Sequence, residues 1–250
     1  MAERATLKLA VVGDPVAHSR SPVLQRGFMA EAGVPGTYEA IRVRLGELGA
    51  ALVALRAEGY GGLNVTTPLK EEAATLCDRL SPAAQALAAV NTLVLRETET
   101  FGANTDGAGG VGALEAALGG AHGKRVLVLG AGPTARAVVY ALAHAGAEVS
   151  VWNRTRERAE ALAARFGVRV WDGTQAFDAV YATLPPNPTV PPGIERALRE
   201  APLVLDANYG PRATLGTLLG RPVVDGTAML AASARRSFEL WSGTLDELDV

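Results

Sequence analysis

Cysteine and lysine are both scarce in this chain. Its one cysteine, Cys77, has no partner for an internal disulfide and no neighbours at metal-ligand spacing, so a small core residue is expected there and no metal site anywhere. No apolar run approaches membrane-spanning length, and the opening MAERATLKLAVVG runs straight into a strand pattern with no signal-peptide architecture. A cytoplasmic protein without a membrane partner is therefore expected. No block of like charge interrupts the sequence, and a net charge of -2 offers nucleic acid no basic face. Internal repeats and low-complexity tracts are absent too. Of 24 basic residues only three are lysines, Lys8, Lys70 and Lys124, so arginine is the default cation.

What is present is apolar and alternating. With 250 residues, 48% of them hydrophobic, the chain can bury one large core or two smaller ones. Short apolar strand patterns (7–12, 38–43, 61–65, 90–95 paired with 100–103) alternate with helical ones (21–32, 47–57, 68–80) in the first part. Ser21 suits an N-cap and Pro22 the first helical position. A helix over 106–118 opens a second unit of strands at 125–129, 148–152, 168–170, 177–183, 202–207 and 222–224, with helices at 134–145, 156–166 and 215–219 between them. A proline-rich loop spans 184–192, and the amphipathic run 228–241 reads as a last helix. The pattern predicts an α/β fold: an N-terminal α/β domain over 1–105 to which 228–250 returns, and a doubly wound, Rossmann-like domain over 106–227.

The strand-turn-helix at Arg125 to Ala145 carries the clearest signal. Gly130-Ala131-Gly132-Pro133-Thr134-Ala135 supplies the GxGxxA turn of a dinucleotide site: glycines permit a tight turn and backbone approach to a pyrophosphate at the helix N-terminus, and Ala135 fills the third, small position. An NAD site places Asp or Glu about 20 residues after the glycines to accept ribose hydroxyls. Here that place reads Asn153-Arg154-Thr155, with Arg158 one turn on. A carboxylate would repel a 2'-phosphate, whereas the guanidinium forks of Arg154 and Arg158 and the Thr155 hydroxyl can bind one, so the cofactor expected is NADP.

Lys70 is the lysine whose placement asks for a reason. It falls in the first turn of a helix opened by Thr67-Pro68, where a cation opposes the macrodipole by about 0.3 to 1 kcal/mol and an acid would be the structural choice. An ammonium can give up a proton, which guanidinium cannot do at neutral pH, so Lys70 is a candidate acid/base group. Asn91, Asp106, Ser19 and Ser21 are polar groups at element ends that serve equally well as caps and turns.

Taken together the chain resembles the shikimate dehydrogenase family. The matching segments run in one order over nearly the whole length: Gly13-Asp14-Pro15-Val16-Ala17-His18-Ser19-Arg20-Ser21-Pro22, Asn64-Val65-Thr66-Thr67-Pro68-Leu69-Lys70-Glu71, Ala89-Val90-Asn91-Thr92, Asn104-Thr105-Asp106-Gly107, the GAGPTA turn and Asn153-Arg154-Thr155. The resemblance implies NADPH-dependent reduction of 3-dehydroshikimate to shikimate in aromatic amino-acid biosynthesis, by a monomer or homodimer. It also implies roles. Ser19 and Ser21 would hold the substrate carboxylate, Thr66, Asn91 and Asp106 its ring hydroxyls, and Lys70 would be the acid/base partner of Asp106. Tyr209 would lie on the substrate side and Gly226 near the nicotinamide.

Three departures stand out. Tyr181-Ala182-Thr183-Leu184-Pro185-Pro186 replaces the common Asn-Ala-Thr and its serine- and glycine-containing loop, Ala228 replaces a glycine before Met229, and Ser233 replaces a glutamine that contacts substrate. The last implies weaker affinity for shikimate and poorer discrimination against quinate. A quinate-using paralogue and an NADP-binding regulatory protein without turnover stay open as alternatives, though keeping both Lys70 and Asp106 argues against the second. The strand-end arginine generates a first test: Arg154→Ala is expected to raise KM for NADP far more than for NAD in steady-state kinetics. Equal effects on both would show that Arg154 does not read the 2'-phosphate.

Overall fold

The structure, a computed structural model, describes residues 6–247 and Val250. The sequence reading of the first five residues lies outside the described residues. The chain divides into two compact units, one holding the described residues up to Thr105 and those from Ser233 onward, the other Asp106–Ala232.

In chain order the first unit contains β1 (Leu7–Gly13), α1 (Ser21–Ala32), β2 (Gly36–Arg42), α2 (Leu48–Ala57), β3 (Gly62–Val65), α3 (Lys70–Thr75), β4 (Arg79–Leu80), α4 (Pro82–Leu87), β5 (Thr92–Leu95) and β6 (Thr100–Ala103). The second contains α5 (Asp106–Leu118), β7 (Arg125–Leu129), α6 (Pro133–His144), β8 (Glu148–Trp152), α7 (Arg156–Phe166), β9 (Arg169–Val170), β10 (Ala179–Ala182), α8 (Pro192–Glu200), β11 (Leu203–Asp206), a 3-10 turn (Gly210–Arg212) and α9 (Leu215–Leu219). The last helix, α10 (Thr227–Trp241), starts in the second unit and ends in the first.

The first sheet has the order β2-β1-β3-β5-β6-β4. β1 runs parallel to β2 and β3, while β5 is antiparallel to both β3 and β6. The second has the order β11-β10-β7-β8-β9 and is parallel throughout. In each sheet one interior strand is buried on both faces. β1 sends Ala10 and Val12 to one core and Leu9 and Val11 to the other, and β7 divides Val126 and Val128 from Leu127 and Leu129 in the same way. Such strands must be apolar at every position, so they read as runs without alternation.

Several boundaries differ from the sequence reading, each for a visible reason. The helix expected over 68–80 stops at Thr75, because Asp78 turns the chain back to the sheet: its backbone N–H donates to Thr100 O at 2.9 Å, its carboxylate accepts from the Thr100 N–H at 2.7 Å, and Arg79-Leu80 then pairs with β6. Two helices were not read. Ser81 caps α4 by accepting from the Ala84 N–H at 3.2 Å, and α8 follows Pro191-Pro192 and buries Ile194 and Leu198. Of the strand expected at 222–224, a single parallel bridge between Val224 and Leu205 forms.

The end of α10 closes one face of the first sheet. Phe238 and Trp241 pack on Leu9, Val11, Met29 and Tyr38, and the Trp241 Nε1–H donates to Leu93 O at 2.9 Å. Gly62 is required beneath the indole, since a Cβ there would overlap the ring. Trp241→Ala is expected to cost about 3–5 kcal/mol of unfolding free energy in urea denaturation, as for other buried large-to-small changes. A loss under about 1 kcal/mol would show that α10 does not cover this sheet in solution.

Candidate active site

In the first unit, the predicted substrate residues converge on one edge because β5 runs antiparallel to β3. β5 begins where β3 ends, and β6 ends where β5 begins, with Asn64 opposite Thr92 and Thr92 opposite Ala103. The polar residues that follow β3 and β6 and precede β5, namely Thr66, Thr105 and Asn91, therefore meet. Backbone bonds fasten them: Val65 N–H to Asn91 O at 2.8 Å, Asn91 N–H to Ala103 O at 3.0 Å, and Val90 N–H to Lys70 O at 2.8 Å. The last bond places the start of α3 against the start of β5. Lys70 is the first residue of α3, after the fully buried Leu69. Thr67 and Pro68, expected to cap and open this helix, lie ahead of it.

Asn91 is 5% exposed and its amide is at the centre of a buried polar network. Its Oδ1 accepts from the Thr105 N–H at 2.9 Å and from the Thr92 hydroxyl at 3.0 Å, and its Nδ2 donates to Thr105 Oγ1 at 3.0 Å and Ser233 Oγ at 3.4 Å. Ser233 is itself buried and stands 2.8 Å from Thr105 Oγ1. One turn on, Ser237 meets Thr92 at 2.7 Å and accepts from Asn64 Nδ2 at 3.0 Å. Asn64 Oδ1 accepts from the Tyr38 hydroxyl at 2.6 Å. Burial pushes the Tyr38 phenol far up, with the Ser21 hydroxyl beside it offsetting part of the shift. The network thus reaches the start of α1, where the Ser21 N–H donates to Ser19 Oγ at 3.2 Å; Arg20, not Ser21, holds the N-cap position. Ser19, Ser21, Thr66 and Lys70 are half-buried.

Sequence reasoning passed over part of this network. Asn64 and Thr105 stand in the quoted motifs without a role, and Tyr38 and Ser237 were not singled out; the four-residue spacing of Ser233 and Ser237 on one helix face was the available signal. Glu72, two residues after Lys70 in α3, accepts from the Gly46 and Leu48 N–H groups at 2.9 and 3.1 Å.

In the second unit, parallel strand order brings the carboxyl ends of the strands to one edge, with the change of winding direction at β7 and β10, where open parallel sheets commonly bind their ligands. Gly130 ends β7 at φ +115°, a backbone angle that favours glycine, and a Cβ there would overlap the Thr183 hydroxyl. Gly132 is the N-cap of α6, with no side-chain cap, and a Cβ on it would meet nothing within 4 Å. Packing does not ask for this glycine. What it leaves bare is the N–H end of α6, beside Ala131, Pro133 and Thr134, with Ala135 fully buried beneath; the residues present fit a pyrophosphate. On the β8 side, the Asn153 side chain donates to Thr155 O at 2.9 Å and shapes the strand-end turn that carries Arg154 and Arg158, both exposed. On the β10 and β11 side lie Asn208, Tyr209 and Gly226. The Gly226 N–H donates to Asn208 O at 2.8 Å, and Gly226 lies so close to the Ala207 backbone that a Cβ is excluded. Asp106 is half-buried and opens α5, whose Gly107 lies against α6: a Cβ there would come within 2.6 Å of Ala137 O. Among the described residues no helix is long and apolar enough to cross a membrane, and no cluster of His, Cys, Asp and Glu could hold a metal ion.

Two family models match the chain, a shikimate dehydrogenase substrate-binding domain over residues 11–93 and a shikimate/quinate 5-dehydrogenase domain over 113–181. The NADP-dependent shikimate dehydrogenase of one strain of Thermus thermophilus is 41% identical over 96% of this chain and 94% of its own, and that of Brucella abortus is 40% identical over 94% and 89%. A crystal structure of shikimate 5-dehydrogenase from another strain of Thermus thermophilus, in complex with NADP(H) and shikimate, superposes with a TM-score of 0.85 at 38% identity, covering 96% of this chain and 95% of that one.

The unlike surroundings of the two turn glycines generate a test. Gly132→Ala is expected to melt within a few degrees of the parent yet bind NADP at least about tenfold more weakly by titration calorimetry, since the added methyl occupies the face left bare for the pyrophosphate. Gly130→Ala is expected to lower the melting temperature, because it meets both backbone strain and Thr183. Unchanged NADP affinity in Gly132→Ala would refute the placement.

Proposed function

We infer the chemistry of this site from one premise: the chain belongs to the shikimate dehydrogenase family. It is an NADP-dependent oxidoreductase, and the reaction we assign is the reversible reduction of 3-dehydroshikimate to shikimate. The observation that carries the assignment is the gathering of Thr66, Lys70 and Asn91 at the carboxyl edge of β3 by the Val65–Asn91 and Val90–Lys70 backbone bonds. A polyhydroxy ring needs several neutral hydrogen-bonding groups around it and one group able to exchange a proton, which is what this edge holds.

In this reading, the Ser19 and Ser21 hydroxyls donate to the substrate carboxylate, Thr66, Asn91 and Asp106 hold ring hydroxyls, and Tyr209 lies on the substrate side. The bare N–H groups after Gly132 hold the pyrophosphate, Arg154, Thr155 and Arg158 the 2'-phosphate, and Gly226 borders the nicotinamide. When bound, NADPH supplies a hydride to the ketone carbon. Negative charge then grows on the ketone oxygen. The Lys70 ammonium stabilises that charge and donates its proton to the oxygen, while the Asp106 carboxylate orients the amine and a ring hydroxyl; solvent reprotonates Lys70. The reverse reaction uses the same groups with Lys70 as base. A cytoplasmic location and a monomeric or homodimeric state belong to the same proposal.

A second reading, quinate or a related polyhydroxy acid as substrate, draws on one observation. Ser233 is buried and its hydroxyl is directed at Thr105 and Asn91, so a short side chain spent on internal bonds stands where the family offers a long amide. NADP reduction followed at 340 nm with shikimate and then quinate separates the two: shikimate is expected to have the higher kcat/KM, and quinate leading would overturn the assignment.

The proton-transfer role generates its own test. Lys70→Ala and Lys70→Arg are each expected to lower kcat by roughly 10²- to 10⁴-fold with NADP binding little changed. Asp106→Asn should be severe too, and the Lys70/Asp106 double variant should lose much less than the product of the single losses. Near-normal kcat in Lys70→Arg would reduce Lys70 to a positioning cation.

A further inference from the structure

Tyr181 is unusual among the buried groups of the second unit. It is 1% exposed, stands near the carboxyl end of β10, and donates its hydroxyl to the Met229 thioether at 3.2 Å, a weak acceptor. Three elements meet at this hydroxyl. Besides β10 and the first turn of α10, α5 approaches at Gly110: a Cβ there would crowd Val138 at 2.8 Å and stand at ordinary contact distance, 3.6 Å, from the Tyr181 oxygen. Gly110 is one turn below Asp106 on the same face of α5, and Met229 is three residues after Gly226. Burial pushes the Tyr181 phenol well up, and the carboxylates of Asp106 and Asp206 push in the same direction, so the hydroxyl stays a neutral donor. Tyr181, one departure from the family pattern, thus bonds the residue that follows another, Ala228.

We propose that Tyr181 is a positioning residue for hydride transfer: its bond to Met229 fixes the start of α10, with Gly226, against β10 and α5, and so holds the nicotinamide border in register with Asp106. The proposal rests on the roles given above to Gly226 and Asp106. Its physical content is that a single side chain spans the two elements carrying those groups within one unit. A thioether accepts weakly but is polarisable and adaptable, so it can hold a donor while the rest of the methionine packs among Ala113, Val138 and Leu205 of the same core. Replacing Tyr181 by Phe keeps the ring and its packing and removes only the bond, leaving behind a thioether that loses little without a donor.

The experiment is a double-variant cycle on Tyr181→Phe and Met229→Leu. It is read by kcat, by KM for each substrate, and by the primary deuterium isotope effect with NADPH deuterated at the transferring position. Each single variant is expected to lower kcat by about tenfold and to change the isotope effect, with KM for shikimate and NADP within about twofold of the parent; misplacement of reacting groups is costly even when binding is intact. The double variant is expected to match the worse single one, because both remove the same bond. A kcat within about twofold of the parent in Tyr181→Phe overturns the proposal, and so does a double loss equal to the product of the single losses. Should Tyr181→Phe not fold, Met229→Leu alone decides on the same kcat criterion. An inactive parent would instead overturn the shikimate assignment. In that case the fluorescence of bound NADPH tests the positioning on its own: Tyr181→Phe is expected to shift its emission at unchanged affinity, and identical emission would overturn the proposal.

Discussion

A buried amide can be tolerated only if its donors and acceptors are met, and in the first unit that constraint falls on Asn91. Its side chain accepts from Thr92 and Thr105 and donates to Thr105 and Ser233, so the start of β5, the end of β6 and the last helix are held by one group. The backbone on either side of it is equally committed: Val90 bonds Lys70, and the Asn91 carbonyl accepts from Val65. A shift at any of these elements would strand a buried polar group at about 1–3 kcal/mol, so the rim that carries Thr66 and Lys70 is held stiffly. Rigidity comes here from polar bonds, which leave the edge polar as the proposed polyhydroxy substrate needs; a core of leucines could not serve both purposes.

In the second unit the corresponding constraint is backbone proximity. Parallel strands bring β7, β8, β10 and β11 to one edge, but a nucleotide can lie across them only where side chains are absent. Gly130 next to Thr183, Gly107 against α6 and Gly226 against Ala207 have packing reasons for their bareness. Gly132 has none within the protein. Gly27 and Gly61 are equally open, so it is the place of Gly132 ahead of α6, and not its openness alone, that suits it to the pyrophosphate position proposed above.

What the sequence made legible follows from how local each requirement is. β1 and β7 were readable because burial on both faces demands continuous apolar runs, and the GAGPTA turn because its backbone angles admit few residue types. Thr66, Lys70 and Asn91 in the first unit, and Asp106 in the second, were legible as motif positions because each sits beside an element end. The early stop of α3 was not readable: it depends on Asp78 meeting Thr100, a partner 22 residues away. The same holds for Ser233, whose hydroxyl finds Thr105 across 128 residues, and for Tyr181, whose partner is 48 residues on. A helix behind paired prolines, as in α8, was hidden because prolines mark both loops and first helical turns.

The case for Lys70 shifts once the structure is known. Read from sequence, it rested partly on a cation opposing a helix macrodipole. But α3 has six residues and so aligns few peptide dipoles, and Glu72 serves the start of α2. The dipole argument therefore weakens, and the positional one takes its place. The Lys70 carbonyl is tied to Val90, immediately before Asn91, and Leu69 behind it is fully buried, so the Cα of Lys70 is fixed relative to the polar rim. With the backbone held, the four-carbon stem carries the ammonium from a fixed base. A chain that otherwise uses arginine almost throughout places here a compact charge on a movable stem, the form of cation that can follow an oxygen from ketone to alcohol and part with a proton on the way.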